Sequence, residues 1–206
     1  MASKTALFKA ARSWDWRAVA EMLRAAPELV SATDPKGRAA LHLACSVKPG
    51  SDPALGEASG LKTAATLLDA GSPLEQIVPM DEDEGDFRAN PLWYAVARGE
   101  NLPLVKALLA RGANASFSLW AVVWRDDAPM CRALLAAKPA LDLRFHGETP
   151  IFYAARLQRL ATLRLLIDAG ADPTIADDDG RDALAIAQAR KLPADLIERL
   201  RAGCRR

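Results

Sequence analysis

Gly147-Glu-Thr-Pro-Ile-Phe-Tyr-Ala-Ala155, followed by Leu165-Leu-Ile-Asp-Ala-Gly-Ala-Asp172, decides the fold. It reads as a short alanine-rich helix opened by Thr-Pro, then a second helix with larger apolar residues that stops at a glycine. The pattern recurs along the chain. Aligning the hydrophobic residue that opens each first helix brings Leu7, Leu41, Leu92, Leu119, Ile151 and Leu184 into register, at spacings mostly near about 33 residues. A fixed period implies stacked helical units, each too small to bury its apolar face without a neighbour.

Residue size fits that stacking. Alanines at Ala10-Ala11, Ala44, Ala95, Ala121, Ala154-Ala155 and Ala185 suit first helices packed closely together. The second helices carry Val19, Met22 and Leu23; Leu67 and Leu68; Leu104, Val105, Leu108 and Leu109; Leu134 and Leu135; and Leu163, Leu165, Leu166 and Ile167. Their helical spacing marks one sealing face. Thr149-Pro150 and Asn90-Pro91 have the chemistry of a helix start, and Gly71, Gly112 and Gly170 that of a left-handed helix stop.

On these residues the chain resembles the ankyrin-repeat family, whose unit runs Asp-x-x-Gly-x-Thr-Pro-Leu-His-x-Ala-Ala, a loop, a helix ending Leu-Leu, and Gly-Ala-Asp. The resemblance is strongest over residues 147–172, good over Asp34 to Ala44, where Ala39-Ala40 replaces Thr-Pro, and clear at Asn90-Pro-Leu-Trp-Tyr-Ala95 with Gly112-Ala-Asn114. It implies an all-α solenoid of about six helix-turn-helix units with β-hairpin fingers, in a single domain over 1–206. The units fall at about 1–33, 34–76, 85–115, 116–143, 144–176 and 177–206, with the terminal ones as caps.

Departures from the pattern show where this chain is specialised. The second unit is longer than a repeat by roughly eleven residues, which predicts a loop insertion over 47–60, rich in turn formers. An acidic finger over 77–88, containing Asp81-Glu-Asp-Glu-Gly-Asp86, lengthens one hairpin. Only 27 positions separate Leu92 from Leu119, so the fourth unit is expected to lack a normal hairpin and to bend the stack locally.

Composition places few limits on function. The 206 residues are 50% hydrophobic and 26% charged with a net charge of +1, so global charge names no partner. No apolar run reaches membrane-spanning length and the first ten residues lack a secretory core, which predicts a cytoplasmic protein. Cys45, Cys131 and Cys204 have neither disulfide nor zinc-ligand spacing. As a calcium loop counted from Asp81, the acidic run would need an acid at its twelfth position, where Leu92 stands. Asp177-Asp-Asp-Gly180 reads as a hairpin turn. Only two histidines could serve as a catalytic base. The resemblance makes His42 the structural histidine that links repeats, and His146 lies at a hairpin tip beside no nucleophile motif. No phosphate-binding loop or hydrolase motif appears. The expectation is therefore a non-enzyme without cofactor or metal.

What remains is binding. In the resembled family the concave face is lined by hairpin tips and by exposed residues near the end of each first helix. Those slots hold Ser46-Val47, Ala97-Arg98, Trp124-Arg125, Arg156-Leu157 and Ala189-Arg190, so four consecutive units offer an arginine; Arg38 and Arg181 border the same face. The expected contact residues are Arg38, Arg98, Trp124, Arg125, Arg156, Leu157, Arg181 and Arg190. Trp124 is the anchor, since Trp and Arg dominate interface hot spots. Secondary loop contacts are Asp81, Glu82, Asp83, Glu84, Phe87, Phe145 and His146. Trp93 and Trp120 occupy the structural histidine's slot and are expected to pack between repeats, while Trp14 and Trp16 are expected to cap the end of the stack. The reading is a monomeric, non-catalytic module holding a protein partner with acidic side chains. Alternatives are an inhibitor or immunity-type protein that blocks an enzyme or toxin, a nucleic-acid binder, against which the near-neutral charge argues, and, remotely, a hydrolase.

Overall fold

The computed structural model describes residues 2–52, 55–79 and 88–205. Among them are twelve α-helices in six consecutive antiparallel pairs. The chain divides into two compact units, residues 1–114 and 115–206.

The first unit holds α1 (Lys4–Arg12) and α2 (Trp16–Ala25), α3 (Ala40–Cys45) and α4 (Glu57–Asp69), and α5 (Pro91–Ala97) and α6 (Leu102–Ala110). Short polar side chains start most of them. Ser3, Asp15, Asn90 and Asn101 accept the N–H of Ala6, Ala18, Trp93 and Leu104 at 3.2, 3.0, 2.9 and 3.0 Å. Each satisfies one of the free donors at a helix N-terminus. Gly71 and Gly112 stop α4 and α6 at φ +93° and +88°. First helices pack in sequence, α1 on α3 and α3 on α5, and second helices likewise, α2 on α4 and α4 on α6. Leu7, Leu41, Leu67, Leu92, Leu104 and Leu108 are fully buried, each contributing about 1.5–3 kcal/mol through the hydrophobic effect. In the expected Leu-Leu pairs only the first leucine is buried; Leu68 and Leu109 lie half-exposed. Strand β1 (Val78–Pro79) pairs antiparallel with β2 (Arg88–Ala89), the base of the expected finger. The acidic residues Asp81, Glu82, Asp83 and Glu84, with Phe87, lie outside the described residues.

Two expectations about this unit need correction, and one contact accounts for both. Trp14 is not an end cap: it is 2% exposed, at φ +52°, with its indole N–H donating to the Ala44 carbonyl at 2.9 Å. Its ring lies against Gly60, where an added Cβ would come within 2.8 Å of it. Gly60 therefore stands inside α4 as a receptor for the tryptophan. The insertion, expected over 47–60, ends once α4 begins at Glu57. Trp16 is half-buried, with Lys62 5.4 Å from its ring.

His42 meets the next repeat through its ring, edge-on to Tyr94 at 5.4 Å, while its hydrogen bonds, expected to link repeats, stay within residues 34–76. Its Nδ1 accepts the Ala39 N–H at 3.2 Å, which leaves Nε2–H to donate to the Gln76 carbonyl at 2.9 Å. Burial disfavours the imidazolium and pushes its pKa down to about 4.

The second unit holds α7 (Ser118–Arg125) and α8 (Ala128–Ala136), α9 (Pro150–Arg156) and α10 (Leu160–Ala169), and α11 (Ala183–Ala189) and α12 (Ala194–Gly203). Its core includes Val123, Ile151, Phe152, Leu163, Leu166, Ile186, Leu196 and Leu200. Leu184, expected to open the last first helix as a core residue, only flanks this cluster. Lys138, at φ +53°, takes the stop position after α8 that glycine fills after α6 and α10. Residues 111–117, between α6 and α7, form no strand or bridge, in keeping with the short fourth unit.

Two experiments follow. Gly60→Ala should push Trp14 off its seat and cost about 1–3 kcal/mol, the usual penalty of overpacking, read as a lower urea midpoint. Because His42 is neutral when folded but protonates below about pH 6.5 when unfolded, stability should fall between pH 6.5 and about 4. The slope should be at most about 1.4 kcal/mol per pH unit. His42→Gln should remove that step in pH-dependent urea melts.

Candidate functional site

In five repeats the chain passes from first to second helix through one non-glycine residue in the left-handed region: Trp14, Glu100, Asp126, Gln158 and Lys191, at φ +47° to +57°. This conformation reverses the chain within a residue or two and projects the preceding side chains outward. In the second unit those side chains are Trp124-Arg125, Arg156-Leu157 and Ala189-Arg190; in the first they include Arg98.

The α7 turn is the most tightly held. Asp126 terminates α7, and its carboxylate reaches the start of α10 in the next repeat. There Oδ1 accepts the Thr162 N–H at 2.8 Å and the Thr162 hydroxyl at 2.9 Å, and Oδ2 takes the Ala161 N–H at 3.4 Å. The residue at the N-cap of α10 is Arg159, which has no oxygen to offer, so Asp126 caps that helix from outside. Asp127 caps its own helix α8 through Met130 N–H at 2.9 Å. Two adjacent aspartates thus fix the turn from both sides and deliver Trp124, which is 59% exposed. Trp124, Arg125 and Asp127 line an open cavity of about 500 Å³.

The expected arginines divide into two groups. Arg98, Arg125 and Arg190 are exposed. Arg38, Arg156 and Arg181 are clamped by carboxylates of their own repeats. Arg38 Nε donates to Asp34 Oδ2 at 2.9 Å, and Arg181 Nε to Asp177 Oδ2 at 2.9 Å, with Asp179 also 2.7 Å from its guanidinium. In both hairpins the aspartate Oδ1 accepts the arginine's own backbone N–H. Arg181 holds the Asp177 carboxyl below the usual carboxylate range. Asp34-Pro-Lys-Gly-Arg38 and Asp177-Asp-Asp-Gly-Arg181 are therefore one self-paired turn used twice.

The hairpin between them reverses these charges. Arg144-Phe-His-Gly-Glu148 has arginine where the others have aspartate and glutamate where they have arginine. Arg144 donates to the Gly147 carbonyl at 2.9 Å and to Asp178 of the following hairpin at 2.7 Å. Glu148 instead receives Arg156 at 2.9 Å, and Arg156 also lies 5.2 Å from the Tyr153 ring. Glycine suits this position because Gly147 sits at φ +73°, which other residues rarely adopt, and a Cβ there would also displace the exposed Asp178 carboxylate.

The remaining candidates are placed as follows. Leu157 is half-buried; Phe145 is half-buried and His146 is exposed at a hairpin tip, their rings 3.9 Å apart. Trp120 packs edge-on against Phe145, in the next repeat, at 6.0 Å. Its buried indole N–H meets no acceptor among the described residues, so packing replaces the hydrogen bond that His42 makes in the same slot. Trp93 is likewise buried. The sequence reading missed Asp126, Gln158 and Lys191. Their one signal is position, since each directly follows an exposed slot and precedes a second helix.

A family model described as ankyrin repeats (3 copies) matches residues 74–200, and the chain belongs to that family. An ankyrin repeat domain from Acinetobacter baumannii AYE is similar at 23% identity and TM-score 0.72, over 96% of each chain. The human ASB11 ankyrin repeat domain is similar at 22% identity and TM-score 0.67, over 96% of this chain and 82% of that one. The ankyrin repeat protein EF0377 is similar at 20% and 0.70, over 98% of each. No curated protein matches. Ankyrin repeats serve in general as protein–protein interaction modules and are typically non-catalytic. Among the described residues no helix is long and apolar enough to cross a membrane.

Asp126→Ala should cost about 1–2 kcal/mol, the upper part of the range for a lost N-cap, because it also leaves a non-glycine residue left-handed without its anchor. A double-mutant cycle with Thr162→Val in urea should show coupling through the Thr162 hydroxyl, and additive effects would contradict that hydroxyl's bond to Asp126, while the backbone cap, which valine retains, is read by the cost of Asp126→Ala.

Proposed function

We propose that this chain is a non-catalytic module that binds a protein partner through the turns after its first helices, with Trp124 as the anchor. The observation that carries the reading is the exposure of Trp124 on a turn fixed by Asp126 and Asp127. A large apolar side chain held open on a rigid support lowers the ordering cost of binding. Trp and Arg are also the residue types enriched at interface hot spots.

The partner presents acidic side chains. In support, Arg98 and Arg190 are exposed and make no ion pair among the described residues. Arg38, Arg156 and Arg181 contribute less, because Asp34, Glu148 and Asp177 already neutralise them. The preference therefore rests on fewer cations than the sequence suggested. The cytoplasm remains the proposed compartment.

The test uses the partner recovered by affinity capture from the native source. Trp124→Ala should weaken binding by about 2 kcal/mol or more, the hot-spot threshold. Arg98→Glu with Arg190→Glu should weaken it further, with a smaller effect at high salt. Unchanged affinity in both variants would overturn the proposal.

A further inference from the structure

Resting on that reading, we propose that the second unit carries a polarised track for an extended peptide segment in which an apolar pair and an acidic pair lie about three residues apart. Helices α7, α9 and α11 pack in succession, and their turns carry equivalent slots at Trp124-Arg125, Arg156-Leu157 and Ala189-Arg190. Neighbouring packed helices lie about 8–10 Å apart, so an extended chain rising about 3.3 Å per residue meets a new slot roughly every three residues.

The slots differ along the row. At the α7 end stands exposed Trp124, and the next turn offers half-buried Leu157 beside the neutral left-handed Gln158. Arg156 adds little charge there, since its guanidinium is held by Glu148 at 2.9 Å. The last turn ends in Arg190 and Lys191, both exposed and without an ion pair among the described residues.

Charge orders the side chains along the row. The α7 turn carries Arg125 with Asp126 and Asp127, whereas the α11 turn carries two cations and no acid between Ala183 and Lys191. An acidic residue is therefore disfavoured beside Trp124 and favoured beside Arg190 and Lys191. The segment lays its apolar side chains on Trp124 and Leu157 and, about three residues away, its carboxylates against Arg190-Lys191.

The probe is a fluorescein-labelled synthetic peptide with two leucines about three residues apart and a pair of glutamates about three residues further on. Its counterpart carries lysines in place of the two glutamates. With the full chain, anisotropy titration should show saturable binding of the first peptide and at least tenfold weaker binding of the second. Trp124→Ala and the double variant Arg190→Glu/Lys191→Glu should each weaken the first peptide at least tenfold, with urea midpoints confirming that both variants fold. Equal affinity for the two peptides overturns the charge order of the slots, and absence of binding by either overturns the track. Stronger competition by a single-stranded oligonucleotide of equal charge also overturns it, in favour of a nucleic-acid surface. Loss of native-partner binding on Trp124→Ala, with neither peptide bound, leaves the partner surface standing and removes only the inferred segment.

Discussion

The left-handed residue between the two helices of a repeat is the constraint on which the structure depends. L-residues enter this region at a cost, and they stay there only where surrounding contacts hold them. Here those contacts reach the next repeat. Trp14 inserts its indole against Gly60 and bonds to Ala44, and Asp126 caps α10. One backbone conformation thus reverses the chain, couples neighbouring repeats and sets the direction of the side chains before it.

Coupling and exposure come from the same residues. Asp126 and Asp127 spend their carboxylates on the N-termini of α10 and α8, which immobilises the turn without covering Trp124. Hairpin pairing has the opposite effect on function, because it draws Arg38, Arg156 and Arg181 toward their own carboxylates. The surface is thereby sorted into arginines that stabilise hairpins and arginines that face outward. Net charge does not reveal that sorting, since a clamped and an outward-facing arginine count alike.

Much of the fold was legible in the residues. Helix starts at Asn90 and Thr149 and stops at Gly71, Gly112 and Gly170 all follow from local chemistry or the family pattern, and each stands where it was expected. Gly60 was misread because glycine signals a turn by propensity, while here its missing Cβ answers a tryptophan more than forty positions earlier. The candidate site was less legible. Trp124 could be assigned to an exposed slot by alignment, but the partners of Arg38, Arg156 and Arg181 depend on hairpin geometry. Nor does any local signal mark Asp126 as the cap of a helix that begins at Leu160.

The central claim is that the turn bearing Trp124 is where a partner makes contact, while the other tryptophans serve the scaffold. Fluorine NMR of the protein labelled with 5-fluorotryptophan reads all of them at once, with Trp124 assigned through Trp124→Phe. On titration with the purified native partner, the Trp124 resonance should shift and lose its solvent-isotope response, and the buried Trp14, Trp93 and Trp120 should keep their positions. A complex that forms while the Trp124 resonance stays unchanged and solvent-exposed would contradict the account.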